Sequence, residues 1–528
     1  MDAKAPPAGG PEMPRPPMGV QSHGRGHLHG RRNLTEGPIT RTLLLFSLPL
    51  LGGNALQSLN GTVNQIWVSH TLGETAITAL GNSNIVMMLM LGAIFGVGMA
   101  ANILIGQAVG AGDLELVKRV MGTTTIFFIG LSVSLAAAGI FLSPYILDLM
   151  NTPREARADA IIYLRIIFAS VPFMYFFVFM QMAQRGAGDS TTPFYFLALA
   201  IVIDVTLNPL LIRGIGPFPK MGIAGSATST LIGQGTALIF LIIHLYRKNS
   251  ILLLRPGEFH LLRPDLAIFK SIVTRGLPMG VQMLVMSGTA LVMITMVNGY
   301  GALTSAAYSI SSIIWSYLQM PTMAIGASVS SMAAQNVGAG RWDRVAKVAR
   351  SGVISGLVVT GTFALLLYAF NDFVLGILLP HGSPAIPLAQ HINKTVLWGF
   401  VLFSITFSLS GVVRSTGAVW VPLIILIISM VGIRIPFAVA LTPRLGQDAI
   451  WWSFPLGTIT SSTLTALYYR FGGWRRARML QEEPIGQAPD AGLVVPSMAT
   501  PEADEEAAEA VETATTAERK RARAGRWD

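Results

Sequence analysis

From Thr40 to Arg470 the chain alternates long apolar stretches with short polar loops. A helix rising 1.5 Å per residue needs about twenty mostly apolar residues to cross a bilayer core. Twelve stretches meet that length, at roughly 40–66, 77–104, 118–142, 158–181, 192–212, 222–246, 269–297, 305–333, 345–371, 390–413, 419–441 and 449–470. Their continuity predicts helices, because a barrel strand needs only about ten residues of alternating polarity.

Composition sharpens this picture. Of 528 residues, 52% are hydrophobic and 12% charged, half the roughly 25% charge of a soluble domain. That excludes a disordered protein and a cytosolic enzyme. With no cysteine, a disulfide-stapled secreted scaffold is excluded too. The net charge of +10 does not gather on one face, so it does not point to nucleic acid. Instead the basic residues recur in alternate loops, the positive-inside pattern. One set holds Lys118, Arg119, Arg185, Arg247, Lys248, Arg255, Arg263, Lys270, Arg341, Arg344, Lys347, Arg350 and Arg414; the other holds Arg154, Arg157, Arg213, Lys220, Lys394 and Arg444. An even number of spans then puts both termini in the cytoplasm, with the chain in a plasma or inner membrane.

The spans repeat as two halves. Gln107-Ala108-Val109-Gly110-Ala111-Gly112 returns as Gln335-Asn336-Val337-Gly338-Ala339-Gly340. One residue further out of step, Pro49 falls on Pro278, Arg185 on Arg414, Gly188 on Gly417 and Pro193 on Pro422. Six spans separate the copies, and an even number makes the repeats parallel, related by an axis along the membrane normal. The predicted fold is an all-α integral membrane protein of twelve transmembrane helices in two six-helix lobes. Residues 40–246 form the N-lobe, 247–268 a basic cytoplasmic linker, and 269–470 the C-lobe. The tails, 1–39 and 471–528, are too poor in apolar residues to bury a core and are expected to be disordered. His23, His27 and His29 could bind metal there, but a solvated tail is the simpler reading. The Gly-Ala-Gly turns are expected to end helices in the left-handed conformation.

Ionisable groups at membrane depth are costly and mark function. Asp204 lies about twelve residues, or ~18 Å, into span 5. Arg434 holds the equivalent depth in span 11, and Arg165 lies near enough to an edge to snorkel; no other charged residue is expected deep. Asn208 shares a helix face with Asp204. The pair could ligate Na⁺ through hard oxygens, or Asp204 could carry a proton, or it could be neutralised by an interhelical bond or by Arg434. Asn54, Gln57, Gly61 and Asn64 form a polar stripe on span 1, lining a cavity or bonding a neighbouring helix. Tyr308, Trp315 and Tyr317 could offer an aromatic surface to an organic cation, or simply pack. No paired catalytic carboxylates, phosphate loop or metal-ligand spacing is present. No enzyme, cofactor or structural metal is expected.

Over residues 38–472 the chain resembles the multidrug and toxic compound extrusion (MATE) family. The resemblance is carried by Pro49, Asn64-Gln65-Ile66-Trp67-Val68, Gln107–Gly112, Arg185-Gly186-Ala187-Gly188-Asp189-Ser190 with Pro193, Leu207-Asn208-Pro209, Gln335–Gly340, Arg434-Ile435-Pro436 and Trp451-Trp452-Ser453-Phe454-Pro455. It implies an antiporter working as a monomer, with two lobes around a cavity open to one side at a time. Such a protein exports cationic or amphipathic compounds in exchange for H⁺ or Na⁺. It also implies an ion site of Asn64, Asp204, Asn208 and Thr230 or Thr228, and a cavity reached by Asn54, Gln57, Tyr308, Trp315 and Arg434. The chain departs from that pattern, with Asn64 for the usual span-1 Asp and Asp204 then Asn208 where the DinF-like branch commonly reads Asn then Asp. C-lobe acids of the NorM branch are apolar (about Met286 and Phe403), so the DinF-like branch is still the closer match. The alternative is a lipid or lipid-linked oligosaccharide flippase of the same superfamily.

Overall fold

A computed structural model of the chain describes residues 34–72, 74–150, 152–379 and 382–480. The expectations for His23, His27, His29 and the distal tails lie outside the described residues. The N-lobe comprises α1 (Ile39–Leu72), α2 (Glu74–Ala111), α3 (Leu114–Leu149), α4 (Arg154–Gly186), α5 (Thr191–Arg213) and α6 (Ile223–Arg247). The C-lobe comprises α7 (Leu266–Asn298), α8 (Ala302–Gly338), α9 (Trp342–Ala369), the short α10 (Asn371–Leu378), α11 (Ala385–Arg414), α12 (Trp420–Ile427), α13 (Ile435–Leu445) and α14 (Asp448–Phe471). A π-helical segment, Ile428–Arg434, joins α12 to α13, so these three pieces make one span and the spans among the described residues number twelve. Ten of these are long and apolar enough to cross a membrane. The other two, α8 and α14, have the length but carry Ser, Thr, Asn and Gln. They keep these inside: Ser328, Ser331, Gln335 and Asn336 on α8, and Ser453, Ser461 and Ser462 on α14, are buried.

The two halves pack alike. In the N-lobe α2 and α6 lie on α4; in the C-lobe their counterparts α8 and α14 lie on α11. The lobes meet through α2 with α7 and α8, and through α1 with α8. At the end bearing the basic loops the contact is backbone on backbone. A Cβ on Gly110 would sit 1.9 Å from the carbonyl oxygen of Gln335, and one on Gly338 would sit 1.9 Å from that of Gln107. Gly96 likewise lies against the backbone of Gly276 and Gly280. The two repeated glutamines tie this crossing down: Gln107 Nε2 donates to Ser415 O (2.6 Å) and Gln335 Nε2 to Gly186 O (2.8 Å). Just beyond, Gly112 and Gly340 take φ of +76° and +68°, the left-handed turns that let α2 and α8 stop there.

Two helices are shared between the lobes. Leu43, Phe46 and Leu50, in the first half of α1, pack in a core with Val329, Val348 and Val413 of the C-lobe. Ile268, Ile272 and Met279, in the first half of α7, join the N-lobe core around Leu104 and Val117. The second half of α7 returns to its own lobe, where Met293 and Val297 meet Trp315.

Short flanking segments strap the basic end. Leu34 is fully buried and its carbonyl accepts from Asn336 (3.1 Å), while Arg341 donates to Thr35 O (2.6 Å). After α14, Trp474 is buried and accepts at its carbonyl from Thr416 (2.9 Å); Arg275 donates to Arg478 O (2.9 Å). Residues 471–480, expected to belong to the tail, are thus packed against the lobes. The inter-lobe linker is held on α3 by the ion pairs Lys118–Glu258 and Arg119–Asp265. Asp265 also caps α7, accepting from the N–H groups of Ala267 (2.9 Å) and Ile268 (3.2 Å).

Two predictions follow from these contacts. Ser331, buried and bonded to Asn102 Oδ1, offers a near-isosteric site for one cysteine in a cysteine-free chain. Ser331→Cys should resist a maleimide in the native background and react readily when Gly338→Val forces the lobes apart; equal rates would refute the backbone-contact account. The second concerns acid. The Arg255 backbone N–H, then Lys118, hold the Glu258 carboxyl below the usual carboxylate range. A depressed group stabilises above its unfolded value, about 4.3, and loses that contribution as pH falls through the folded one. Hydrogen exchange at amides 257–262, corrected for intrinsic rate, should rise below about pH 4, and Glu258→Gln should remove that rise.

Candidate functional site

The polar centre of the N-lobe is built by three helices. On α6, Gly225, Ser229 and Gly233 recur every four residues and present one small-residue face. Cβ atoms added at the two glycines would fall 2.7 Å from the α5 backbone, so α5 and α6 pack closely, as small-residue faces allow in membranes. That approach places Ser229 Oγ 2.6 Å from Asp204 Oδ1, and Thr230 Oγ1 bonds the same oxygen at 3.2 Å. Asn60 Nδ2 of α1 donates to Asp204 Oδ2 at 3.0 Å. One turn on, Asn208 Nδ2 and Ser226 Oγ both donate to Asn64 Oδ1 at 2.7 Å. The α1 pair Asn60/Asn64 thus meets the α5 pair Asp204/Asn208 in register. Asp204 and Asn208 are 4% and 1% exposed; burial at that level makes these bonds decisive, since a buried carboxylate without partners costs several kcal/mol. Asn208 Oδ1 is the one orphan, a buried acceptor without a partner.

Four of the residues singled out in the sequence, Asn64, Asp204, Asn208 and Thr230, therefore come together. Thr228 turns away and bonds the carbonyl of Ala224. Asn60, Ser226 and Ser229 belong to the cluster and were not anticipated. The available signal was spacing: an i, i+4 polar pair on α5 calls for an i, i+4 pair on its neighbour, which Asn60/Asn64 supplies.

The second feature is a chamber between the lobes, lined by Asn54, Met99, Met182, Met279, Phe407 and others, with Arg185 and Arg414 among them. It shares Met283, Met286, Met323 and Phe403 with a pocket, mostly of the C-lobe, that Tyr308, Trp315 and Arg434 line. Arg434 does not pair with Asp204. Its guanidinium carbon lies 3.4 Å from the centre of the Phe454 ring, and its Nε is buried without a partner. Tyr308 and Trp315 are buried in an aromatic cluster with Trp451, Phe400 and Phe454, with only part of each meeting the pocket. Gln57, Gly61 and Tyr317 are exposed and line neither space.

One expectation needs correcting. Arg185 and Arg414, counted among loop residues, are the last turns of α4 and α11. Arg414 is 9% exposed. Both sit in the wall of the chamber, whose lining holds no Asp or Glu. Its charge is the reverse of what the expected cationic cargo would call for.

Twelve spans in two repeated lobes, a buried carboxylate cluster in one lobe and an amphipathic chamber between them define a multi-pass membrane transporter. The MatE family model matches residues 49–210 and 278–440, the same two copies that the internal repeat marks out. The chain belongs to that family. It is 33% identical over 443 residues to the probable multidrug resistance protein YoeA of Bacillus subtilis, covering 84% of this chain and 95% of that protein. Probable multidrug resistance protein YpnP of the same organism is 30% identical over 451 residues, covering 85% and 99%. A solved structure described as the outward-facing conformation of a multidrug resistance MATE family transporter superposes with a TM-score of 0.77. At 20% identity over 83% of this chain and 96% of that one, it shows the shared fold.

Removing one donor from the buried carboxylate should cost about 1–3 kcal/mol. Ser229→Ala and Asn60→Ala should each lower the unfolding midpoint in detergent, with Thr228→Ala as a near-neutral control. If all three behave alike, the bonds to Asp204 carry no special weight.

Proposed function

We propose that this protein is a secondary antiporter that exports amphipathic organic compounds in exchange for H⁺ or Na⁺ moving inward, with Asp204 as the coupling carboxylate. The observation that supports it best is the isolation of Asp204: one carboxylate, buried, bonded by Asn60, Ser229 and Thr230 and, among the described residues, paired with no cation. A proton can add to either oxygen, and a Na⁺ ion can draw on the carboxylate, Asn64 and the unpartnered Asn208 Oδ1, all hard oxygen donors. Either would displace the donors now facing Asp204.

Asn60 links that event to the lobes. It sits on α1, whose first half is embedded in the C-lobe core at Leu43 and Phe46. Releasing Asn60 from Asp204 frees α1 on its N-lobe side and biases the lobe contact, a packed element with two arrangements. In the plasma or inner membrane, with the basic end and both termini cytoplasmic, the contact at Gly110 and Gly338 closes the inner side. One two-lobed chain makes the whole pathway, so the monomer is the working unit.

A flippase for lipids or lipid-linked oligosaccharides is the second reading, favoured by the arginines of the chamber wall. Efflux of amphipathic dyes from proteoliposomes, driven in turn by a pH and a Na⁺ gradient, separates the two. We expect one gradient to drive efflux by the native chain and Asp204→Asn, still folded, to fall to the rate of protein-free liposomes. Full efflux by Asp204→Asn would sink the coupling role; no efflux under either gradient would favour the flippase.

A further inference from the structure

Arg185 and Arg414 occupy matching places in the two halves, 229 positions apart. Each ends a helix, α4 or α11, and each borders the inter-lobe chamber. Neither meets a carboxylate: among the described residues the ion pairs are Lys118–Glu258, Arg119–Asp265, Arg157–Asp148 and His391–Asp448. What they do meet is weak. Arg414 donates through one amino group to Gln282 Oε1 at 3.2 Å, and its Nε is buried and unpartnered. Arg185 reaches Gln181 Oε1 at 3.4 Å and the Met182 sulfur at 3.8 Å.

Two guanidiniums carry ten N–H donors between them, and among the described residues only these three contacts use any. The carbonyl ends of α4 and α11 supply roughly half a negative charge each, enough to hold the side chains but not to neutralise them. Among the described residues the remaining donors have no partner. Around them the wall is apolar and deformable, rich in methionine: Met99, Met182, Met279, Met283, Met286 and Met323. Met side chains adapt to irregular apolar ligands.

We propose that Arg185 and Arg414 together bind an anionic head, phosphate or carboxylate, of an amphiphile whose apolar part lies along the methionine wall. Planar forks suit such heads because they bond two oxygens at once. One fork comes from each lobe, so the anion bridges them, and a change in lobe packing alters its hold. Arg434, in the adjoining pocket, adds a third positive charge along the same wall. This names the cargo class for the chamber proposed above, and it rests on the chamber being the cargo site.

The test is equilibrium binding to the full-length chain in nonionic detergent, with tail-matched probes: octyl phosphate and octyltrimethylammonium. We expect the phosphate to bind at least about ten-fold tighter, as charge-assisted bidentate bonds imply. Arg185→Gln and Arg414→Gln should each erase about that factor, and Arg414→Lys should restore part of it. Inorganic phosphate displacing octyl phosphate at equal concentration would assign the site to the free anion; a need for large excess would assign it to the amphiphile. The proposal is overturned if octyltrimethylammonium binds the native chain as tightly as octyl phosphate, a comparison that needs no variant to fold. It is equally overturned if both Gln variants fold and bind octyl phosphate unchanged. No gradient enters the measurement, so its outcome is independent of whether Asp204→Asn loses driven efflux.

Discussion

Everything at the basic end depends on two helices touching without side chains between them. Gly110 and Gly338 let α2 and α8 approach until the backbone of one meets the carbonyl of the other. A methyl group at either position overlaps main chain, which has no rotamer to yield with. The consequence is a contact that is fully made or fully broken, since close-packed interfaces do not deform gradually. The floor of the chamber, the repeated glutamine bonds and the two straps are arranged around that crossing. They hold the lobes at a register that the glycines alone make possible.

The carboxylate cluster and the chamber are physically separate, and their chemistry differs in kind. Around Asp204 every donor is short, neutral and at least half-buried: an amide, two hydroxyls, and a second amide pair one turn away. Such a set holds one small charge at a time, because a second could not be solvated at that depth. The chamber is larger, with Arg185 and Arg414 in its wall and no Asp or Glu among its described lining residues. On the proposed function, small ions and bulky amphiphiles are thereby sorted into different places, and α1 touches both regions through Asn54 and Asn60.

Much of this was legible in the sequence, for clear reasons. Hydrophobic stretches of spanning length and a repeat at fixed offset report the fold directly, because the bilayer demands both length and backbone satisfaction. Asp204 stood out since a lone acid in an apolar run has few explanations. Asn60 did not, because an asparagine on a helix already rich in polar residues gains meaning only from the helix opposite. Arg185 and Arg414 misled for the opposite reason. At the ends of spans, basic residues ordinarily mark solvated loops, and only the crossing of the lobes turns that level into an interior. The π-helical segment at Ile428–Arg434 left no periodic trace, being a short widened stretch inside a span that reads as one continuous helix.

The sharing of α1 also has a bearing on how the chain is made. Leu43, Phe46 and Leu50 leave the ribosome among the first apolar residues, yet their packing partners Val329, Val348 and Val413 emerge far later. At about 5–20 residues per second the wait is on the order of tens of seconds. During it, half of the first helix has lipid or an insertion factor for company instead of its own core. The N-lobe is consequently not a finished unit when its sixth helix is complete. A chain that stalls before α11 leaves α1 half-dressed, and recognition of that bare face offers a cell a way to tell an aborted transporter from a completed one.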